Sequence, residues 1–496
     1  MNPYFKKETW KAWFADNYNK IFIAIFILAI AVRLYYHNVN SAVWWDEADY
    51  LSSALHWFFD VPYKYNPQRG VLFPLLIGIL FKLGLSESVT KFFVVLLPSA
   101  GIVVLTYLIG KQMYDKKVGV VAAGLMSTFW VSLFWTPRFS NDFLAFFFQL
   151  AAIYCFWRGV MYQQGKGWTW LFGLFLGLGF ITRAQSILIA GALLMFLLIV
   201  QKLSFLKNKD LWISVLFFFI PVLPYFMWLS KNFGSFFAFS AGYSSQVISD
   251  APFGWYVLNF PYLFLGMFLF VFFIIGLLSL ADLILGFDLV LKKEQKNAVS
   301  ADLFWLLTSF IILIFFIFWI RGTEDRWVIL LSVPLFFFAS KGMIFISDLV
   351  KKKNIKAASI VLLLLVAGGM YIEWSTAHPL IMTKKDTYVQ VKDAALWMKI
   401  NSNSTDLIYS PSGPQTIYYS EREVVGFPAK EEEFFRDIAL RKPKYMTLSV
   451  FERYADWVNG FPEKYPDVVM PVNGWFADAE HKQPLMVVFE FKKYEK

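Results

Sequence analysis

The sequence predicts an all-α polytopic membrane helix bundle of about eleven transmembrane helices, with a small carboxy-terminal α/β extracytoplasmic domain. Hydrophobic residues make up 58% of the 496-residue chain and charged residues 17%, against roughly 45–50% and about 25% in soluble domains. Water does not tolerate that much apolar surface on one globular chain, but a bilayer does. The apolar residues also fall into runs close to the roughly 20 residues that a helix needs to cross a hydrocarbon core of about 30 Å. Beyond Ser375 the apolar content drops and the helical period gives way to short alternating segments.

Taken in order, the candidate spans are 21–37, 91–110, 118–136, 143–161, 168–183, 185–201, 211–230, 259–283, 302–320, 327–347 and 357–375. The run 70–84 is shorter, and Pro74 and Gly78 interrupt it. If it does not cross, the basic clusters at 111–117, 158–166, 202–209, 292–296 and 351–356 share one side with Lys6, Lys7, Lys11 and Lys20. The positive-inside rule assigns that side to the cytoplasm, so 70–84 reads as a helix lying along, or partly entering, the outer interface. The connections 38–90, 137–142, 231–258 and 321–326, the turn at Arg183 and the tail then lie outside. The expected location is the plasma membrane, with a cytoplasmic amino terminus and a first run that is retained, since no cleavage motif follows it.

Residues 1–375 are expected to form the transmembrane domain, with a catalytic first outer loop at 38–90, and residues 376–496 the soluble domain. In that domain helices at 387–400 and 430–441 alternate with strands at 406–410, 423–427, 445–450 and 485–491, the pattern of a small α/β sheet. The single cysteine, Cys155, lies in an apolar run, so packing rather than an internal disulfide must hold the outer domain. The net charge of +10 sits between apolar runs, which argues for membrane lipids as neighbours and against nucleic acid as a partner. Asn403-Ser404-Thr405 has the form of a glycosylation acceptor, a triplet common by chance. Asp282 and Asp288 flank a cytoplasmic helix end, where solvated carboxylates need no special role.

The first outer loop carries Trp44-Trp45-Asp46-Glu47-Ala48-Asp49-Tyr50, three carboxylates in four residues beside the hydrocarbon boundary. Desolvation there raises a carboxyl pKa and a nearby cation lowers it, so such a group suits general-base work on an acceptor hydroxyl. An isolated acidic pair is more often a polar loop between interfacial tryptophans; its company changes that reading. Gln68 and Arg69 follow downstream. The second outer loop holds Arg138 and Asp142, Arg183 ends a span on the same side, and Arg321 and Arg326 frame a further outer loop. Charge at the membrane boundary needs a partner. Each arginine alone can snorkel to ordinary headgroups, whereas several on one side suit a shared phosphate bound through bidentate contacts. His56 reads as a helix-surface residue ahead of a metal ligand. The outer loops show no metal-ligand set at diagnostic spacing, which leaves a divalent cofactor open. The absence of a Gly-rich phosphate loop fits a donor that is not a nucleotide.

With these residues in hand, the chain resembles the GT-C superfamily of membrane glycosyltransferases, and within it the family 39 group. That group includes protein O-mannosyltransferases and the bacterial aminoarabinose transferase acting on lipid A. Asp46-Glu47, followed by Ala48 and Tyr50, looks like its first-loop pair, and Arg138 with Asp142 looks like its second-loop Arg and Asp. Gly173 to Arg183 resembles its Gly-Leu-rich helix ending in a cation, with Arg183 where relatives commonly have Lys. Glu324-Asp325-Arg326-Trp327 through Pro334 resembles its Arg-Tyr stretch, with Trp327 in place of Tyr. The resemblance spans nearly all of residues 20–375.

It implies a donor in which one phosphate joins a sugar to a polyprenyl or dolichyl lipid, an acceptor on protein, lipid or glycan, and inversion at the anomeric carbon. On this reading Asp46 is the base and Glu47 orients the acceptor or the loop. Arg138, Arg183, Arg326 and Arg69 lie near the donor phosphate, with Asp142, Asp49 and Gln68 in support. Two other readings stay open. A transporter or flippase of lipid-linked sugars would place ionisable groups mid-span, whereas these spans read as almost free of central charge. An oligosaccharyltransferase-like enzyme would carry Trp-Trp-Asp in the tail, where this chain has Trp44-Trp45-Asp46 in the first loop.

Overall fold

In a computed structural model, residues 13–240, 252–281, 298–320, 323–478 and 480–494 are described. Arg321, Asp282, Asp288, Lys6, Lys7, Lys11 and the 292–296 cluster lie outside them. The chain divides into two compact units. One holds the residues up to His37, Pro67–Phe73 and Phe92–Ile381; the other holds Asn38–Asn66, Pro74–Lys91 and the chain from Met382. The sequence boundary near Ser375 falls inside the helix Ile355–Lys384, and the acidic connection groups with the tail.

The first unit is helical. Among the described residues nine helices are long and apolar enough to cross a membrane, which makes this a multi-pass membrane protein. Two further expected spans take other forms. Lys166–Thr182 has 17 residues, which at the helical rise gives about 26 Å, just short of the hydrocarbon thickness. The 118–136 span is broken into Lys116–Thr128 and Trp130–Trp135, joined at Phe129 with φ −48° and ψ 120°. Leu72–Lys82, with 11 residues, reaches about 16 Å and is too short to cross.

Glycines in the Lys166–Thr182 helix explain its closeness to Lys209–Phe233. A Cβ on Gly173 would lie 1.8 Å from the Ser214 carbonyl oxygen, and one on Gly177 would lie 2.5 Å from that of Phe218. Such contacts let backbones meet where lipid removes any hydrophobic drive between helices. The basic connection 111–117 meets two neighbours. There the Tyr162 hydroxyl donates to the Gln112 carbonyl at 2.8 Å, and Lys117 pairs with Asp348 at 2.9 Å.

The helices hold more buried charge than their sequence suggests. Lys341, near the middle of Ser332–Lys351, is matched by Asp302 at 2.6 Å, which also accepts the Tyr114 hydroxyl at 2.7 Å.

In the second unit, β1 (Leu407–Tyr409), β2 (Glu423–Val425), β3 (Tyr445–Ser449), β4 (Val469–Phe476) and β5 (Pro484–Phe491) form one sheet in the order β2-β1-β3-β5-β4. The first three are parallel, and β5 runs antiparallel to β3 and β4. Strand alternation puts Leu407, Tyr409 and Met446 on one face with Phe434 and Ile438 of the Glu431–Arg441 helix. Ile408 and Tyr445 face Val391, Ala394, Ala395 and Met398 of Val389–Ile400 on the other. Every expected tail element is present within a residue or two. The Gly413–Ser420 helix and β4 were not expected. Strand β4 contains Pro471 and Gly474 and shows register irregularities at 471/473 and 475/476; as an edge strand it tolerates both residues.

Candidate functional site

Arg138, Asp142, Arg183, Arg326 and the Gln68-Arg69 segment belong to the first unit. Ser140 begins the helix Asn141–Met161: its hydroxyl accepts the Asp142 amide at 3.3 Å and donates to the Asp142 carboxylate at 2.6 Å. That carboxylate, 2% exposed, sits in the first helical turn, where the dipole favours negative charge. It pairs directly with Arg183, and Arg326 approaches to 3.8 Å.

Arg183 leaves the Lys166–Thr182 helix in extended backbone, its Nε 3.0 Å from Gln185. The Asn141 amide donates to the Thr182 carbonyl at 2.9 Å and ties the two helix ends together. Gly70 runs against the same end, since a Cβ there would lie 1.9 Å from the Thr182 carbonyl oxygen. The residue after Gln68-Arg69 is therefore small so that this segment can abut the helix carrying Arg183.

Arg326 bonds to Glu324 at 3.2 Å and lies 4.4 Å over the Trp135 ring, whose indole N–H donates to Asp325 at 3.3 Å. Arg138, fully buried, bonds to the Phe134 carbonyl, stacks 4.4 Å over the Phe134 ring and lies 5.7 Å from that of Trp135. Trp135 is thus an aromatic platform shared by two guanidinium groups.

Asp142, Gln149, Arg183, Gln185 and Arg326 give the polar lining of a small cavity of about 30 Å³, and Leu188, Ile189, Ile312, Phe316 and Leu330 contribute apolar wall. In this lining two guanidinium groups face one carboxylate, with Glu324 as a further partner of Arg326, among apolar side chains where electrostatic fields are weakly screened. That combination fits an anion attached to a hydrocarbon chain. The helix Ile187–Gln201 lines a second, apolar cavity of about 300 Å³ with Leu193 and Leu197, opposite Phe218 of Lys209–Phe233. Sequence reasoning missed Gln149, Gln185 and Trp135. Gln149 did offer a signal, as an amide set in the apolar run Phe143 to Phe156.

Asp46, Glu47 and Asp49 belong to the second unit. The Glu47 carboxylate, 5% exposed, accepts the Trp44 amide at 3.0 Å and so closes the first turn of Trp45–Phe59. Asp49, also buried, accepts the Tyr63 hydroxyl at 2.6 Å. Asp46 is half-buried and the most accessible of the three.

The backbone before them is gripped by the tail. Lys392 donates to the Ser41 carbonyl at 2.8 Å, the Ser41 hydroxyl donates to Asp386 at 2.6 Å, and the Val43 amide donates to the Tyr419 hydroxyl at 2.8 Å. Ser52 donates to the Pro414 carbonyl at 3.4 Å, and Tyr418 to Glu87 at 2.8 Å. Burial first, then the neighbouring Glu87 carboxylate, holds the Tyr418 hydroxyl well above the usual phenol range. Burial likewise raises that of Tyr419, so both hydroxyls remain protonated. Gly413–Ser420 follows β1 at its carboxyl end, where the strand order reverses. Open α/β sheets ordinarily offer ligand-binding loops at that point; here it touches the chain's own acidic segment. His56 places Nδ1 2.9 Å from the Val61 carbonyl.

The fold, a polytopic helical bundle followed by a small sheet domain, is shared with solved membrane-protein structures. A sequence profile of the dolichyl-phosphate-mannose-protein mannosyltransferase family matches residues 68–228, a stretch that contains Arg69, Arg138, Asp142 and Arg183. Among solved structures the chain is similar to ArnT from Cupriavidus metallidurans bound to undecaprenyl phosphate, at 12% identity and TM-score 0.66, over 96% of this chain and 99% of that one. It is also similar to the Archaeoglobus fulgidus oligosaccharyltransferase, at 16% identity and TM-score 0.59, over 85% and 67%. The arabinofuranosyltransferase AftD from Mycobacteria matches at 12% identity and TM-score 0.58, over 95% and 41%. No curated protein matches the sequence.

Proposed function

We propose that this chain is an inverting glycosyltransferase that moves a sugar from a polyprenyl- or dolichyl-phosphate donor to a protein, lipid or glycan hydroxyl at the outer face of the plasma membrane. The observation that carries this reading is the cationic cavity with apolar walls, in which Arg183 and Arg326 flank Asp142. A lipid-phosphate sugar combines one phosphate with a long hydrocarbon, and the cavity offers a complement to each. The undecaprenyl phosphate bound by the structurally similar ArnT supports the same donor class.

In the proposed step the acceptor oxygen bonds to the anomeric carbon while the bond from that carbon to the phosphate oxygen breaks. The electron pair leaves with the phosphate, and Arg183, Arg326 and Arg138, with Arg69, stabilise the added negative charge. The acceptor proton passes to Asp46, the most accessible of the three acidic-loop carboxylates. Glu47 and Asp49 hold the acidic segment in shape, and Asp142 and Gln68 support the arginine groups. The basic connections face the cytoplasm on this reading.

Full-length chain in liposomes, given a radiolabelled polyprenyl-phosphate sugar and envelope acceptors, should move label into an acceptor and leave unlabelled polyprenyl phosphate. Donor that crosses the bilayer with its sugar–phosphate bond intact would overturn the reading in favour of a flippase.

A further inference from the structure

Among the ionisable side chains that the bundle buries and the reaction above does not use are Arg33 in the helix Asn17–Tyr36, 0% exposed, and Glu373 in the helix Ile355–Lys384, 1% exposed. The break at Phe129 explains both. A helix interrupted inside a membrane frees carbonyls on one side and N–H groups on the other, with no water to satisfy them.

Arg33 donates through Nη1 to the Ser127 carbonyl at 2.7 Å, in the last turn of Lys116–Thr128. Glu373 accepts the amide of Trp130, the first residue of Trp130–Trp135, at 3.0 Å. The polarities suit the two free helix ends, a donor at the carboxyl end and an acceptor at the amino end. Trp130 in turn donates its indole N–H to the Leu263 carbonyl at 3.1 Å, three residues before Trp255–Leu277 itself breaks at Gly266, with φ 57°.

The same arginine reaches the site. Its Nε donates to the Ser99 hydroxyl at 2.8 Å, and Ser99 lies 2.9 Å from the Thr136 hydroxyl, at the end of Trp130–Trp135. The Arg138 amide then bonds to the Trp135 carbonyl at 3.0 Å.

We infer that Arg33 and Glu373 are positioning residues: they fix the break at Phe129, and through it the Trp135 ring that lies against Arg326 of the cavity lining and is shared by Arg138. An unbroken helix would continue residues 130–138 along the axis of Lys116–Thr128 and carry both groups away from Arg326. A misplacement of about 1 Å is enough to cost roughly 10²-fold in rate.

The kinetic readout rests on the transferase reading, so a second readout is independent of it. Full-length native chain, Arg33→Met, Glu373→Leu and Glu373→Gln are compared by donor kinetics, by thermal midpoint and by amide hydrogen exchange over residues 126–138. Glu373→Gln keeps an acceptor for the Trp130 amide and should stay within about threefold of native kcat, whereas Glu373→Leu and Arg33→Met should fall at least about tenfold. The two damaging variants should also exchange faster at 130–136 and nowhere else, with a near-native midpoint. Native-like rates and exchange in both would overturn the inference, and so would global unfolding of both, which would assign these charges to stability alone. A native chain that transfers no sugar would refute the transferase reading, while local exchange still decides the positioning role.

Discussion

Asp142 stands between Arg183 and Arg326, so a change there acts on two guanidinium groups at once. Asp142→Asn keeps the shape and removes the shared charge. Its kcat/KM for donor should drop about 10- to 100-fold, the range that misplaced charge-stabilising groups produce. Asp46→Asn should lose transfer by about 10²–10⁴-fold, the typical worth of a general base, while bound radiolabelled donor stays near native in a filter assay. Glu47→Ala should behave differently, because that side chain closes a helix turn. Its loss is expected to cost roughly 1 kcal/mol, seen as a lower thermal midpoint. The arginines were legible in the sequence because they break an otherwise one-sided distribution of basic residues. Trp135 was not, since one tryptophan among 20 carries no mark of the two guanidinium groups above it.

At the level of elements, the Gly413–Ser420 helix ties the sheet domain to the acidic segment through Tyr419. Tyr419→Phe removes the acceptor for the Val43 amide, at a cost of about 1 kcal/mol. It should lower kcat with little change in donor KM, measured on the full chain. Long apolar helices and alternating strands were readable because their periods are long enough to be seen above noise. The interruption at Phe129 was not readable, because neither Pro nor Gly marks it: the chain reads Met126-Ser127-Thr128-Phe129-Trp130. The groups that bond to its two sides, Arg33 and Glu373, lie 96 and 244 residues away from Phe129 in sequence, as 129 − 33 and 373 − 129. Strand β4 escaped for a related reason. An edge strand with Pro and Gly has little period of its own, and only its pairing with β5 defines it.

For the molecule as a whole, the proposed orientation has a direct test. Cys155 is buried, so single cysteines introduced on a Cys155→Ala background report their own accessibility. Ser404→Cys in the exposed tail should react with an impermeant maleimide on intact cells, and Lys353→Cys, also exposed, only after permeabilisation. The opposite pattern would invert the topology. The sidedness that the sequence proposes is a sum over many basic residues, so no single loop decides it. The grouping of residues 38–66 with the tail was not legible, since nothing local in a loop announces a partner more than 300 residues downstream.

That grouping has a consequence for how such a protein can be cut and recombined. The chain passes between the two units at 37/38, 66/67, 73/74, 91/92 and 381/382, five times rather than once. The sheet domain is therefore no detachable appendage. A chimera that exchanges only the residues after 381 would pair a foreign tail with a native acidic loop and strip that loop of the bonds to Lys392 and Tyr419. A graft that moves 38–66 and 74–91 together with the tail would keep the partnership whole.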